Sequence, residues 1–349
     1  MPRLRAVATA LPNHRIDQTD IREAARAHFA PAFPQIDRYL PVFRNAQIDQ
    51  RFFAAPLEWF QQPRSLKECN DRFIQVGSDL GEQVARACLE QAALDGHAID
   101  HLIWVSTTGM AAPSPDATLI GRLGMRRTTR RTPIWGLGCA GGIAGLARAN
   151  EYVQAFPHHR ALLLCVELCS VTFQWEDRSR RNLIAASLFA DGAAGILLEG
   201  DAIASSGPRI IATQSLIWPD TQDVMGWEII DSGMQVVFSA RIPGMISSEM
   251  HGIVAEFLAT QGLDLSDIRH WILHPGGAKV IAAYESALAI GPAETEHTRS
   301  VLRTHGNMSS GTVFFVLAAC LRAGIAPGEY GLLAVLGPGF SCELALIQG

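Results

Sequence analysis

Two stretches of this chain match each other at a fixed offset, and that self-similarity limits the possible folds more than any other feature. Residues 99–109 (IDHLIWVSTTG) resemble residues 268–277 (IRHWILHPGG), and each reads as a short buried strand that ends in a glycine-containing loop. Moving Ile99 onto Ile268 is a shift of 169 residues, and the same shift carries Leu89 onto Leu258 within helical patterns upstream. Those patterns are Val76, Leu80, Val84, Cys88 and Leu89 in one copy and Ile253, Val254, Phe257 and Leu258 in the other. Downstream, the shift brings Cys139 to Met308, one residue past Asn307. Each of these sites follows a glycine and opens a helix rich in small residues, and each helix leads to an apolar run, ALLLCV at 161–166 and GLLAV at 331–335. Runs of this kind suit central strands covered on both faces.

The expectation is an α/β fold built twice, with one half over residues 1–205 and the other over 206–349. Loop ends of equivalent strands then meet near a pseudo-twofold axis. Cys139, His274 and Asn307 all lie on such loop ends, although 168 residues separate the first from the last.

A chain of 349 residues with 48% hydrophobic and 18% charged residues can bury a large core and is not disordered. A net charge of -5 gives no general attraction to nucleic acid or anionic membrane. The basic run Arg126, Arg127, Arg130 and Arg131 has no interleaved aromatics to stack bases and reads as a solvated turn. No apolar segment is long enough to span a bilayer, and the first residues lack a signal-peptide core, so cytoplasmic residence is expected. Seven cysteines without a CxxC pair fit reduced thiols better than disulfides or a metal site, and no metal is expected.

Among the cysteines, Cys139 lies in WGLGCAGGIAG. Small neighbours let a substrate approach closely, and a helix N-terminus favours a thiolate, the nucleophile of acyl transfer. A glycine-rich helix start also serves close helix packing, a lone histidine is often structural, and Asn307 suits an N-cap. What joins the three is their placement by the repeat. A thiol, an imidazole and a carboxamide together suit decarboxylative condensation. The imidazole takes the thiol proton, His274 and Asn307 donate to the enolate oxygen, and loss of CO2 makes a separate carboxylate base unnecessary.

GCAGG at Cys139, HPGG at His274, GNMSS at Asn307 and GPGF at 337–340 occur in order across nearly the whole chain. In these motifs the chain resembles bacterial type III polyketide synthases, members of the chalcone synthase superfamily. A FabH-like 3-ketoacyl-ACP synthase, which performs a single condensation, shares the Cys-His-Asn trio but usually carries HQAN at the histidine. Biosynthetic thiolases end in a second catalytic cysteine that is missing here. The resemblance implies a thiolase-like duplicated five-layer αβαβα fold and a homodimeric acyltransferase acting on CoA thioesters, with no cofactor and no obligatory acyl carrier protein. It implies that Cys139 takes the acyl-CoA starter, that His274 and Asn307 promote malonyl-CoA decarboxylation, and that the extended chain cyclises to a pyrone, resorcinol or related phenolic.

The resemblance also assigns pocket positions. Phe189 matches a gatekeeping phenylalanine, while Val236 stands where the second gate is usually phenylalanine. Thr172 and Ser309 match cavity-lining positions, and Cys169 stands where plant enzymes often have threonine. Trp227 replaces a cavity-lining glycine, and Ala112 replaces a methionine that reaches into the partner's site. Thr107 and Thr108 offer no cysteine where tetrahydroxynaphthalene-forming relatives often have one, which disfavours that product. Small residues at 112 and 236 hint at room for a long aliphatic starter. Arg44, Arg51 and Lys279 are the candidates for binding CoA.

Overall fold

The computed structural model describes residues 1–203 and 206–349. Ser205, the expected end of the first half, lies outside the described residues. Among these, nine strands form one sheet in the order Ile268–Leu273, Tyr330–Gly337, Ser341–Gln348, Arg209–Ile217, Arg3–Ala10, Asp191–Glu199, Arg160–Leu168, His101–Val105 and Arg130–Ile134.

The sheet is two half-sheets joined at a seam, because Arg209–Ile217 and Arg3–Ala10 share the single pair Arg3↔Arg209. Each half repeats the other's pairings. His101–Val105 runs parallel to Arg160–Leu168, as Ile268–Leu273 does to Tyr330–Gly337. Arg160–Leu168 is antiparallel to Asp191–Glu199, as Tyr330–Gly337 is to Ser341–Gln348. Asp191–Glu199 in turn is antiparallel to Arg3–Ala10, as Ser341–Gln348 is to Arg209–Ile217. The strands aligned by the 169-residue shift therefore occupy equivalent places.

Five layers share three large cores, the middle one lying on both sides of the central helices. The long helix Leu66–Ala92 covers the outer face of the first half-sheet, burying Leu80, Val84 and Cys88 against Leu102, Leu162 and Leu164. Ser65 opens this helix with a capping box to Glu68, and Ala93 closes it in the left-handed conformation. Helices Gly141–Ala155 and Thr312–Ala323 form the middle layer, where Ile143, Leu146, Phe314 and Leu317 fill the space between the half-sheets. Ile242–Ala259 and Ala278–Leu288 cover the second half-sheet, with Phe257 and Tyr284 against Leu332 and Leu344. The order αβαβα is the one expected. Arg160–Leu168 and Asp191–Glu199 are buried almost throughout, as strands covered on both sides must be.

Two additions lie outside the repeat. Helix Gln18–Phe29 and the paired strands His14–Asp17 and Gln50–Phe53 build a small core around Phe29, Phe43 and Phe53. A hairpin of Met225–Ile230 and Gly233–Phe238 carries Trp227 opposite Val236. Among the described residues, no helix is long and apolar enough to cross a membrane, and no group of His, Cys, Asp or Glu side chains is placed to hold a metal ion.

Candidate active site

The two middle-layer helices begin face to face. A 3-10 turn, Gly138–Ala140, leads into Gly141–Ala155, and a second, Ser309–Gly311, leads into Thr312–Ala323. Cys139 lies in the first turn. Gly138 before it has φ +48°, and a Cβ there would stand 2.8 Å from the ring of Pro338. Only glycine fits that position. Ser309 holds φ +48° in the second turn, a strained conformation for a residue with a side chain, of the kind that gathers at functional sites.

Cys139 is half-buried, and its thiol faces the side chains of Ser309 and Asn307, which favour its charged form. Asn307 is 2% exposed. Its Nδ2 donates to the carbonyl of Gly276 (3.3 Å), two residues beyond His274, and its Oδ1 accepts from the Ser309 amide (2.9 Å). His274 follows the strand Ile268–Leu273 and stays in register, its amide donating to Ala334 O at 2.9 Å. The loops carrying Cys139, His274 and Asn307, drawn from both halves, thus converge.

Burial sets the electrostatics of the site. A helix N-terminus lowers a thiol's pKa, but burial dominates here and pushes Cys139 up to about 12, with the Glu167 carboxylate adding to the rise and Ser309 and Asn307 opposing it. Burial likewise pushes His274 down to about 3, and neither ring nitrogen has a protein partner.

Glu167 belongs to the site and escaped the sequence reading. Fully buried, its Oε2 accepts from the amides of Thr107 (3.0 Å) and Thr108 (3.1 Å) and from Thr108 Oγ1 (2.8 Å), and its Oε1 accepts from Ser310 Oγ (2.7 Å). Thr107 Oγ1 in turn accepts from the Gly138 amide at 2.9 Å. The carboxylate therefore ties together the loops that bear Cys139 and Ser309. Its one sequence signal was a lone acid in an otherwise apolar strand.

A cavity of about 430 Å³ lies beside this centre, lined by Cys169, Thr172, Phe189, Trp227 and Val236 among others, and walled on the far side by helix Gln18–Phe29. The Phe189 and Trp227 rings pack at 5.8 Å. Ala112 does not line the cavity and stands on an exposed loop. Of the CoA candidates, Arg44 and Lys279 are exposed, on segments whose neighbours Ala46, Ile48 and Ala278 pack together with Leu188, beside Phe189. Arg51 does not join them. It is 1% exposed, and its guanidinium donates to Gln18 Oε1 and to the carbonyls of Phe189 and Ala186, so it has no surface from which to meet a CoA phosphate.

Family models for chalcone and stilbene synthases match this chain twice, the N-terminal domain over residues 59–202 and the C-terminal domain over 209–349. The chain belongs to the chalcone and stilbene synthase family. It is an acyltransferase of the type III polyketide synthase class with the thiolase-like fold. It is 40% identical to the 1,3,6,8-tetrahydroxynaphthalene synthase of Streptomyces peucetius subsp. caesius, over 98% of this chain and 92% of the relative. With the 3,5-dihydroxyphenylacetyl-CoA synthase of Streptomyces toyocaensis it shares 32% identity over 99% of this chain and 90% of the relative. A solved tetrahydroxynaphthalene synthase from Streptomyces coelicolor A3(2), a bacterial type III polyketide synthase, superposes with a TM-score of 0.94 at 28% identity, covering 99% of both chains. Family members close to this chain thus differ in product.

Proposed function

We propose that this type III polyketide synthase condenses malonyl-CoA iteratively onto an acyl-CoA starter held as a thioester on Cys139. The observation that carries the reading is the convergence of Cys139, Asn307 and the His274 loop beside an apolar cavity. The neutral imidazole of His274 is the form able to accept the Cys139 proton as sulfur attacks the starter carbonyl, releasing CoA as its thiol. Malonyl-CoA then loses CO2, and the electron pair of the broken bond passes into an enolate whose oxygen receives hydrogen bonds from His274 and the Asn307 carboxamide. The enolate carbon attacks the Cys139 thioester, a carbon-carbon bond forms, and the sulfur leaves. The β-ketoacyl chain, now borne on CoA, returns to Cys139 with release of CoA, and repetition gives a poly-β-keto chain that cyclises to a pyrone, resorcinol or related phenolic. A dry cavity strengthens each of these interactions.

In this reading Phe189 and Trp227 flank the route between CoA and cavity, while Cys169, Thr172, Val236, Ser309 and Thr107 shape the walls. Arg44 and Lys279 stand where CoA phosphates would arrive. The enzyme works as a cytoplasmic homodimer on CoA thioesters, without carrier protein or cofactor. Its halves, residues 1–205 and 206–349, supply the thiol and the His-Asn pair respectively.

Intact-protein and peptide mass spectrometry after incubation with acyl-CoA tests this. An acyl adduct on Cys139 that disappears in Cys139→Ala is the expected result. Adduct on Cys165 or Cys169 instead would overturn the site.

A further inference from the structure

The helix Arg180–Leu188, which delivers Phe189, ends in a buried place. Carbonyls of a helix's last turn lack intrahelical partners and carry partial negative charge. Here each is met from elsewhere in the chain. Ala186 O accepts from Arg51 Nη2 (2.7 Å), Ser187 O from Gln18 Nε2 (2.9 Å), Leu188 O from the Asn307 amide (3.0 Å) and Phe189 O from Arg51 Nη1 (2.6 Å). Arg51 Nε donates to Gln18 Oε1 at 3.0 Å, which locks the two capping side chains to each other.

The same guanidinium stem lies against the loop of Asn307. A Cβ on Gly306 would stand 2.9 Å from Cγ and Cδ of Arg51, so the stem packs directly on the residue before Asn307. Asn307 O accepts from the Ala190 amide at 2.8 Å, completing a bridge between residues 189 and 307. Asp191, the nearby carboxylate, has its oxygens taken by the amides of Ala54 and Ser170 and by Ser170 Oγ. Arg51 is therefore held by carbonyls more than by a direct ion pair.

We propose that Arg51, fixed by Gln18, is a positioning residue for the condensation. It sets Phe189 and Asn307 relative to each other, and through Asn307 it sets the donor that faces the Cys139 thiol. The proposal rests on the roles assigned above to Asn307 and Cys139. A planar fork meeting two carbonyls cannot be copied by an ammonium, which acts as a point charge. A donor displaced by roughly 1 Å from the reacting atoms costs on the order of 100-fold in rate.

The experiment compares the wild-type enzyme with Arg51→Gln, Arg51→Lys and Gln18→Met. Acylation of Cys139 by starter CoA, read by intact mass, counts competent sites. Malonyl-CoA decarboxylation is then expressed per competent site, with KM measured for the same substrate. Arg51→Gln is expected to lower kcat per acylated site at least about 10-fold while KM changes by less than about threefold. Arg51→Lys should fall between, and Gln18→Met should lower kcat about threefold. Variants that melt earlier yet turn over normally per acylated site would reduce Arg51 to a structural cap and overturn the proposal. Where Arg51 variants do not fold, Gln18→Met decides, and wild-type kcat per site in that variant overturns it as well. Failure of the wild-type enzyme to acylate Cys139 would instead overturn the reading of the site, before any variant is compared.

Discussion

A histidine buried at 3% exposure with no partner on either ring nitrogen is unstable in its charged form, and His274 accordingly titrates near 3 instead of 6.5. The unfolded chain therefore binds more protons than the folded one between those values. Stability from this group is fully present above pH 6.5 and is lost as pH falls toward 3. His28 and His101, each lowered to about 4, act in the same sense, and Asp191, raised to about 7, acts in the opposite one. Those contributions cancel when the wild-type enzyme is compared with His274→Gln. The difference in unfolding free energy, measured by denaturant titration, should be flat above pH 6.5 and then move in the variant's favour by up to about 1.4 kcal/mol per pH unit. A constant difference from pH 7.5 to 5 would mean that His274 is not buried in its neutral form.

Among the elements, the hairpin of Met225–Ile230 and Gly233–Phe238 decides the cavity's shape. Its register sets Trp227 opposite Val236, so bulk missing on one strand is present on the other, and the indole meets Phe189 at 5.8 Å. Trp227→Ala should open the cavity and raise the preference for long over short acyl-CoA starters, measured as a ratio of kcat/KM values, by about 10-fold or more. An unchanged ratio would place the acyl chain elsewhere. This pairing was legible only in part. The substitutions at 227 and 236 were visible in the sequence, but their opposition across one hairpin needs a register that spacing does not give. The same holds for Arg51, which read as a cation near a CoA surface because nothing in the sequence tells that Gln18 and two helix-end carbonyls enclose it. Helix Gln18–Phe29 lies outside the repeat, so no internal comparison signalled that it walls the cavity.

Taken whole, the molecule was readable where its halves copy each other and obscure where they do not. The 169-residue shift placed strand on strand and brought Cys139 and Asn307 to matching helix starts. What it could not convey is how closely those starts must pack. A Cβ on Gly142 would stand 2.3 Å from the carbonyl of Ser310 and 3.1 Å from the Phe314 ring. The carbonyl is backbone and cannot rotate away, so Gly142→Ala must drive the Ser309–Gly311 turn from the Cys139 turn. Overpacking of this kind costs about 1–3 kcal/mol. Gly121, inside helix Asp116–Arg122, offers the contrast: a Cβ added there meets nothing within 4 Å, and alanine should stabilise by about 0.5–1 kcal/mol. Thermal melts should therefore move in opposite directions for the two variants. Gly142→Ala alone should also slow acylation of Cys139, because the thiol lies in one of the turns being parted and the Asn307 carboxamide is bonded to the Ser309 amide of the other. Normal melting and normal acylation in Gly142→Ala would show that the site does not depend on this close approach of the halves.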